Sequence, residues 1–256
     1  MKTISILLKR DLQYALFNHK KRFVFAILLF VACYFAFYRN YLEFDGSSAV
    51  FTSPGVQNVL IYYVKCNFPL FVSMLVLLCY TLGESISEDK HIYGIQYMLR
   101  CSKKKYWLYS KWLYALIMIT IYYVLFLFVN CVLHTFLFGT QFILDKELAN
   151  YFEYVEVVKF SDLELVFQIW IYPYLVEVFV GLVYISLQMF ISPVLSMIAC
   201  IGYCNIPMYM RVSPFVFVVS FIWSDYSILL ILGCLMIHIM IWMYLSLNKL
   251  KKSDYL

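Results

Sequence analysis

The stretch WLYALIMITIYYVLFLFVNCVLHTF, residues 112–136, decides the fold, because it runs for 25 residues without one charged side chain. An α-helix needs about 20 apolar residues to cross a hydrocarbon core roughly 30 Å thick, and a soluble helix has no use for a face that is apolar all round. The rest of the chain repeats the pattern. Residues 23–38 and 68–82 give two earlier spans. Residues 166–210 are apolar for about two span lengths and break at Ser192-Pro193, which predicts spans near 167–190 and 193–210 joined by a very short turn. A sixth span covers residues 228–247. Composition agrees: of 256 residues, 64% are apolar, 20% aromatic and only 14% charged, against roughly 25% charged in an ordinary soluble domain.

Charge sets the orientation. Of the 20 Lys and Arg residues, fifteen lie in the N-terminal segment, residues 85–111 and the tail. Five (Arg39, Lys65, Lys146, Lys159 and Arg211) fall on the other side. The positive-inside rule therefore predicts a multi-pass plasma-membrane protein with both termini and the 85–111 loop in the cytoplasm. It also puts the acidic segment 139–165, with Asp145, Glu147, Glu153, Glu156, Asp162 and Glu164, outside. The net charge of +5 comes in short blocks between spans, so it is topology and not a nucleic-acid footprint. The lysines before the first span and the lack of a small-residue cleavage site argue for a retained first helix.

Two further segments are predicted. Residues 1–22 form a cytoplasmic amphipathic helix, with Ile4, Leu8, Leu12 and Ala15 on one stripe and Lys9, Arg10 and Gln13 elsewhere, leading as an elbow into the first span. Residues 212–222 are apolar but too short to cross, and a re-entrant or interfacial segment fits. The whole chain reads as one all-α transmembrane domain, 1–256. Six of the eight cysteines sit in apolar runs, where a thiol packs as a small hydrophobe, and no disulfide or metal site is expected.

The cytoplasmic loop carries the functional signal. An acidic start at Glu84, Glu88 and Asp89 leads to Ile92, Tyr93, Gly94, Ile95, Tyr97, Met98 and Leu99, then to Arg100, Lys103, Lys104 and Lys105. This is a short amphipathic helix on the inner membrane face, or a solvated loop whose lysines enforce topology. The order of an acidic pair, Gly, an apolar helix, a basic stretch and a Lys entering the next span resembles the loop after the second span of type-2 ABC transporter permeases. Their motif is Glu-Arg-Glu-x-Gly-Thr-Leu. Glu88, Asp89 and Gly94 take the acidic and Gly positions, whereas Ile95 stands where Thr is usual and the acid-to-Gly spacing is longer. The resemblance covers the whole chain, from elbow helix to re-entrant segment.

That resemblance implies a half-transporter paired with a second copy of itself or a homologous permease. Two copies of a separate ATPase would bind ATP and Mg, and Glu88, Asp89, Ile92, Tyr93, Gly94, Ile95 and Met98 would couple to them. It implies no cofactor on this chain and no catalytic residue, and no Walker loop, zinc-protease motif or nucleophile elbow is present. Small permeases of this class export, or give immunity to, peptides such as bacteriocins and peptide toxins. An amphipathic peptide is therefore the expected cargo, with a lipophilic drug-like compound next.

Four polar side chains lie inside spans. Glu177 is the one carboxylate in a span core, where charge is costly, so it is a functional candidate or else a protonated carboxyl or a partner-satisfied group between helices. Asn130 and His134, one turn apart, and His238 are expected to hydrogen-bond between helices. Two rival functions remain open. An intramembrane enzyme would rely on Glu177, His134 and His238, and a secondary transporter would be expected to show an inverted repeat that these halves do not display.

Overall fold

The computed structural model describes residues 2–18, 20–45, 54–62, 68–83, 104–140, 148, 167–210 and 228–252, and among them the fold is all-helical with no strand. Eight α-helices are described: α1 Lys2–Gln13, α2 Lys20–Asp45, α3 Val56–Ile61, α4 Phe68–Leu82, α5 Lys104–Phe138, α6 Tyr172–Leu187, α7 Pro193–Met210 and α8 Ile228–Lys252. Three stretches, Lys20–Glu43, Lys104–Phe138 and Ile169–Leu187, are long and apolar enough to cross a membrane, with shorter apolar helices at Val72–Leu82 and Pro193–Gly202. The chain is a membrane protein. Its helices present large apolar side chains outward, as Val24, Phe25, Leu28 and Phe35 do on α2 and Val124, Phe128, Val132 and Phe136 on α5. Such rows suit a lipid solvent.

The sequence places α4 and α7 at the bounds found. Other boundaries differ for physical reasons. Helix α2 continues past residue 38 to Asp45, held by an Arg39–Glu43 pair one turn apart and by Asn40, which donates to the Ala36 carbonyl at 2.8 Å. Helix α5 begins at Lys104, so 104–111 are helix and not loop. At 35 residues it spans about 52 Å, well beyond a hydrocarbon core. The last extends from residue 247 to Lys252. The predicted helix near 167 starts as a wide π-turn, Phe167–Ile171, just before Pro173, whose ring has no N–H to give the preceding turn. A similar turn, Tyr14–Asn18, ends α1.

The chain divides into two compact units. The first comprises Met1–Lys20, Leu75–Thr120 and Val176–Leu256. Within it α6 makes a close approach at Gly181: a Cβ there would lie 2.5 Å from Ile119 Cδ1 and 3.1 Å from Leu82 Cδ1, so glycine lets α6 come this near α5 and α4 without displacing the Ile119 side chain. Ser192 opens α7 as an N-cap with Pro193 in the first turn, which makes the connector after Leu187 tight. Cys200 Sγ donates back to the Val180 carbonyl at 3.3 Å, so α7 runs antiparallel to α6. Helix α8 runs with α6, because His238 packs edge-on against Phe179 and Ser246 reaches the Ser186 carbonyl, about seven residues further on along both. Helix α4 also runs with α6, as Leu82 then Gly83 meet Gly181 then Tyr184.

The second unit, Lys21–Met74 and Ile121–Leu175, is an aromatic ladder. Phe30 sits edge-on to Tyr122 and Phe126 at 5.1 and 5.2 Å, Tyr34 is hydrogen-bonded to His134, and Tyr38 and Tyr41 pack on Phe138. The rungs advance together, so α2 and α5 run the same way. Tyr123 donates to the Trp170 carbonyl at 2.6 Å inside the π-turn, where the widened backbone leaves carbonyls to be met. Helix α3 is a buried six-residue element with no local signal in the sequence; Asn58 closes its start on Gly55, and Tyr62 after it accepts from Asn40 at 2.7 Å.

Candidate functional site

The coupling residues read from the sequence, Glu88, Asp89, Ile92, Tyr93, Gly94, Ile95 and Met98, lie outside the described residues. So do the re-entrant segment at 212–222 and, apart from Gly139, Thr140 and Leu148, the acidic segment 139–165. What the structure describes is how both ends of the 84–103 stretch are held, and both holds lie within the first unit.

The entering end is Gly83. It closes α4 in the left-handed region (φ 65°), its N–H reaching the Cys79 carbonyl at 3.1 Å. Helix C-termini leave carbonyls without helical partners, and here neighbouring helices supply the donors. Tyr184 Oη on α6 and Gln188 Nε2 just past its end donate to the Gly83 carbonyl at 3.3 and 3.1 Å, and Tyr114 on α5 donates to the Leu82 carbonyl at 3.4 Å. Gly181, Tyr184 and Gln188 share one face of α6, so the glycine contact brings the two donors within reach.

The leaving end is the first two turns of α5. Trp107 and Leu108 are fully buried, and Ser110 returns its hydroxyl to the Trp107 carbonyl at 2.7 Å. Lys111 is only 1% exposed, and its ammonium pairs at 2.9 Å with Asp11 Oδ2 on α1. The other carboxylate oxygen takes Arg10 Nε at 2.8 Å and also Nη2. One carboxylate thus lies between two cations, one of them buried. This moves the packed ridge of α1: its buried side chains are Leu7, Asp11 and Ala15, with Ile4, Leu8 and Leu12 only half-buried. The predicted apolar stripe is displaced because the face turned inward is centred on a charge.

Of the intramembrane polar residues, Asn130 and His134 belong to the second unit and Glu177 and His238 to the first. His134 Nδ1 meets Tyr34 Oη at 3.1 Å, a hydrogen bond between α5 and α2, and the Asn130 amide donates to the Phe126 carbonyl of its own helix at 2.7 Å. His238 packs on Phe179. Glu177, 7% exposed and one turn before Gly181, has no hydrogen bond or ion pair for Oε2 among the described residues.

Sequence reasoning counted Lys111 as a topology charge and passed over Asp11, Tyr184 and Gln188. A signal existed: Asp11 is the one acid before Glu43, set among six Lys and Arg residues. No family model, curated protein or solved structure matches the chain.

Proposed function

We propose that this chain is the membrane subunit of an ATP-driven exporter of the type-2 ABC permease kind. A separate ATPase, in two copies, binds ATP and Mg and seats against the 85–100 segment. The permease works as a dimer with a second copy of itself or a homologous permease, and moves an amphipathic peptide, or alternatively a lipophilic drug-like compound, outward through the plasma membrane.

The observation that carries this reading is the fixing of both ends of the 84–103 stretch, by the Gly83 clamp and by the Asp11–Lys111 pair. A segment that only joins two spans needs no such mount, whereas one that receives a push must pass it to rigid neighbours. Helix directions support six alternating spans: α4, α6 and α8 run one way in the first unit with α7 opposed, and α2 and α5 run together in the second. In that scheme both termini are cytoplasmic and 139–165 is external, as the basic residues suggest.

The test replaces Ile92, Tyr93, Ile95 and Met98 by Ser in the tagged chain expressed in its host. Loss of a co-purifying, vanadate-sensitive ATPase, with membrane insertion unchanged, is the expected result. Retention of that ATPase and of export by the quadruple variant refutes docking at this segment, and a chain that transports without any ATPase refutes the exporter reading.

A further inference from the structure

Helix α1 has little apolar surface with which to hold its place. Leu7 and, in the π-turn that ends it, Ala15 are its buried apolar side chains, while Ile6 and, in that turn, Tyr14, Leu16 and Phe17 are exposed. Between the two buried positions stands Asp11, against Lys111 of α5. Apolar side chains at both sites would fill the same space without taking two charges out of water, and exchanging a buried ion pair for apolar residues is often neutral or stabilising. What an apolar pair lacks is direction. A slip of α1 by one residue moves it about 1.5 Å and turns it about 100°, which takes the carboxylate away from Lys111 and strands a buried ammonium. Arg10, the other cation on Asp11, belongs to α1 itself and cannot report such a slip.

We propose that the buried Asp11–Lys111 pair is a registry pin that makes α1 and the first two turns of α5 a single rigid body. The pin needs no cargo and no partner protein. Because α5 begins where the 84–103 stretch ends, any displacement of that end is delivered to α1 without loss in the joint. On the exporter reading, on which only this consequence rests, the pin passes the ATPase's motion to the N-terminal helix.

The experiment uses the full chain in lipid nanodiscs, with spin labels on noncanonical residues at exposed Ile6 and Lys105 so that the native cysteines stay untouched. The wild-type pair gives one narrow distance distribution. Asp11→Asn and Lys111→Met each broaden it at least twofold. Asp11→Lys with Lys111→Asp, carrying Arg10→Gln so that the moved lysine faces no second cation, restores the narrow distribution. Asp11→Leu with Lys111→Met decides the matter if single variants fail to insert: it melts close to wild type yet keeps the broad distribution. A narrow distribution in that apolar variant overturns the pin, as does a charge swap that melts like wild type but stays broad. Failure of the exporter reading is separate: the pin then passes these tests while no ATPase activity responds to Asp11→Leu with Lys111→Met.

Discussion

Alanine at position 181 puts one methyl group where α6 leans on α5 and α4. Its carbon falls 2.5 Å from Ile119 Cδ1, 3.1 Å from Ile119 Cγ1 and 3.1 Å from Leu82 Cδ1. Carbon pairs rest at about 3.5–4.0 Å, so the Ile119 tip must withdraw by about 1 Å or α6 must move. Overpacking of this kind costs about 1–3 kcal/mol, and the better helix propensity of alanine returns about 1 kcal/mol, leaving a net loss of about 1 kcal/mol. The clash has one main author, the Cδ1 methyl, and Ile119→Val deletes that atom at its own cost of about 0.5–1.5 kcal/mol. With Val at 119, alanine at 181 becomes neutral or favourable, so the two changes couple by about 1–2 kcal/mol. Reversible unfolding in mixed micelles, followed by tryptophan fluorescence, supplies the four corners of the cycle. Additivity within about 0.3 kcal/mol would refute the close approach of α6, and with it the reason given for Tyr184 and Gln188 reaching Gly83.

Removing the donors of the clamp, by Tyr184→Phe or Gln188→Leu, is expected to cost about 0.5–1.5 kcal/mol each and to speed amide exchange at residues 79–83; unchanged exchange contradicts the clamp. Tyr34→Phe removes the hydrogen bond to His134 and should lower stability in the same micelle assay by about 0.6 kcal/mol, with about 1.7 kcal/mol as a ceiling. Glu177→Gln should fold as wild type, and because no partner meets Oε2 among the described residues, Glu177→Leu should fold at least as well. Loss of transport in both well-folded variants assigns Glu177 to the transport path, and a Leu variant that fails to assemble shows that the carboxyl is held by a neighbouring group through its other oxygen. A cysteine placed near Asn150 should be labelled from outside and one near Lys104 only from inside; labelling from one side for both ends the six-span scheme.

The helices were legible where hydrophobicity or a breaker speaks locally. Ser192-Pro193 marked the α6–α7 connector because serine caps and proline starts a helix regardless of context. The start of α5 was not, since KKKYWLYSK reads as a basic loop, yet Lys and Arg are good helix formers and Trp107 and Leu108 bury in the same turn. Helix α3 escaped notice because it is six residues long and buried nearly all round, which erases the periodicity that announces an amphipathic helix. Of the site, the sequence supplied a motif in 85–100 but not the mount. Gly83 with Tyr184 and Gln188, and Asp11 with Lys111, lie about 100 residues apart in the chain, and single polar residues at such distances carry no local pattern.

On the proposed function a separate ATPase seats on the segment between α4 and α5. The direct measurement is site-specific photocrosslinking from a reactive residue at Tyr93 in membranes of the native host, with and without vanadate. A covalent adduct to a protein bearing Walker motifs, with a yield that changes when vanadate traps the nucleotide, is the expected result. Reaction of position 93 with lipid or external reagents alone, in a chain still competent for transport, would contradict it.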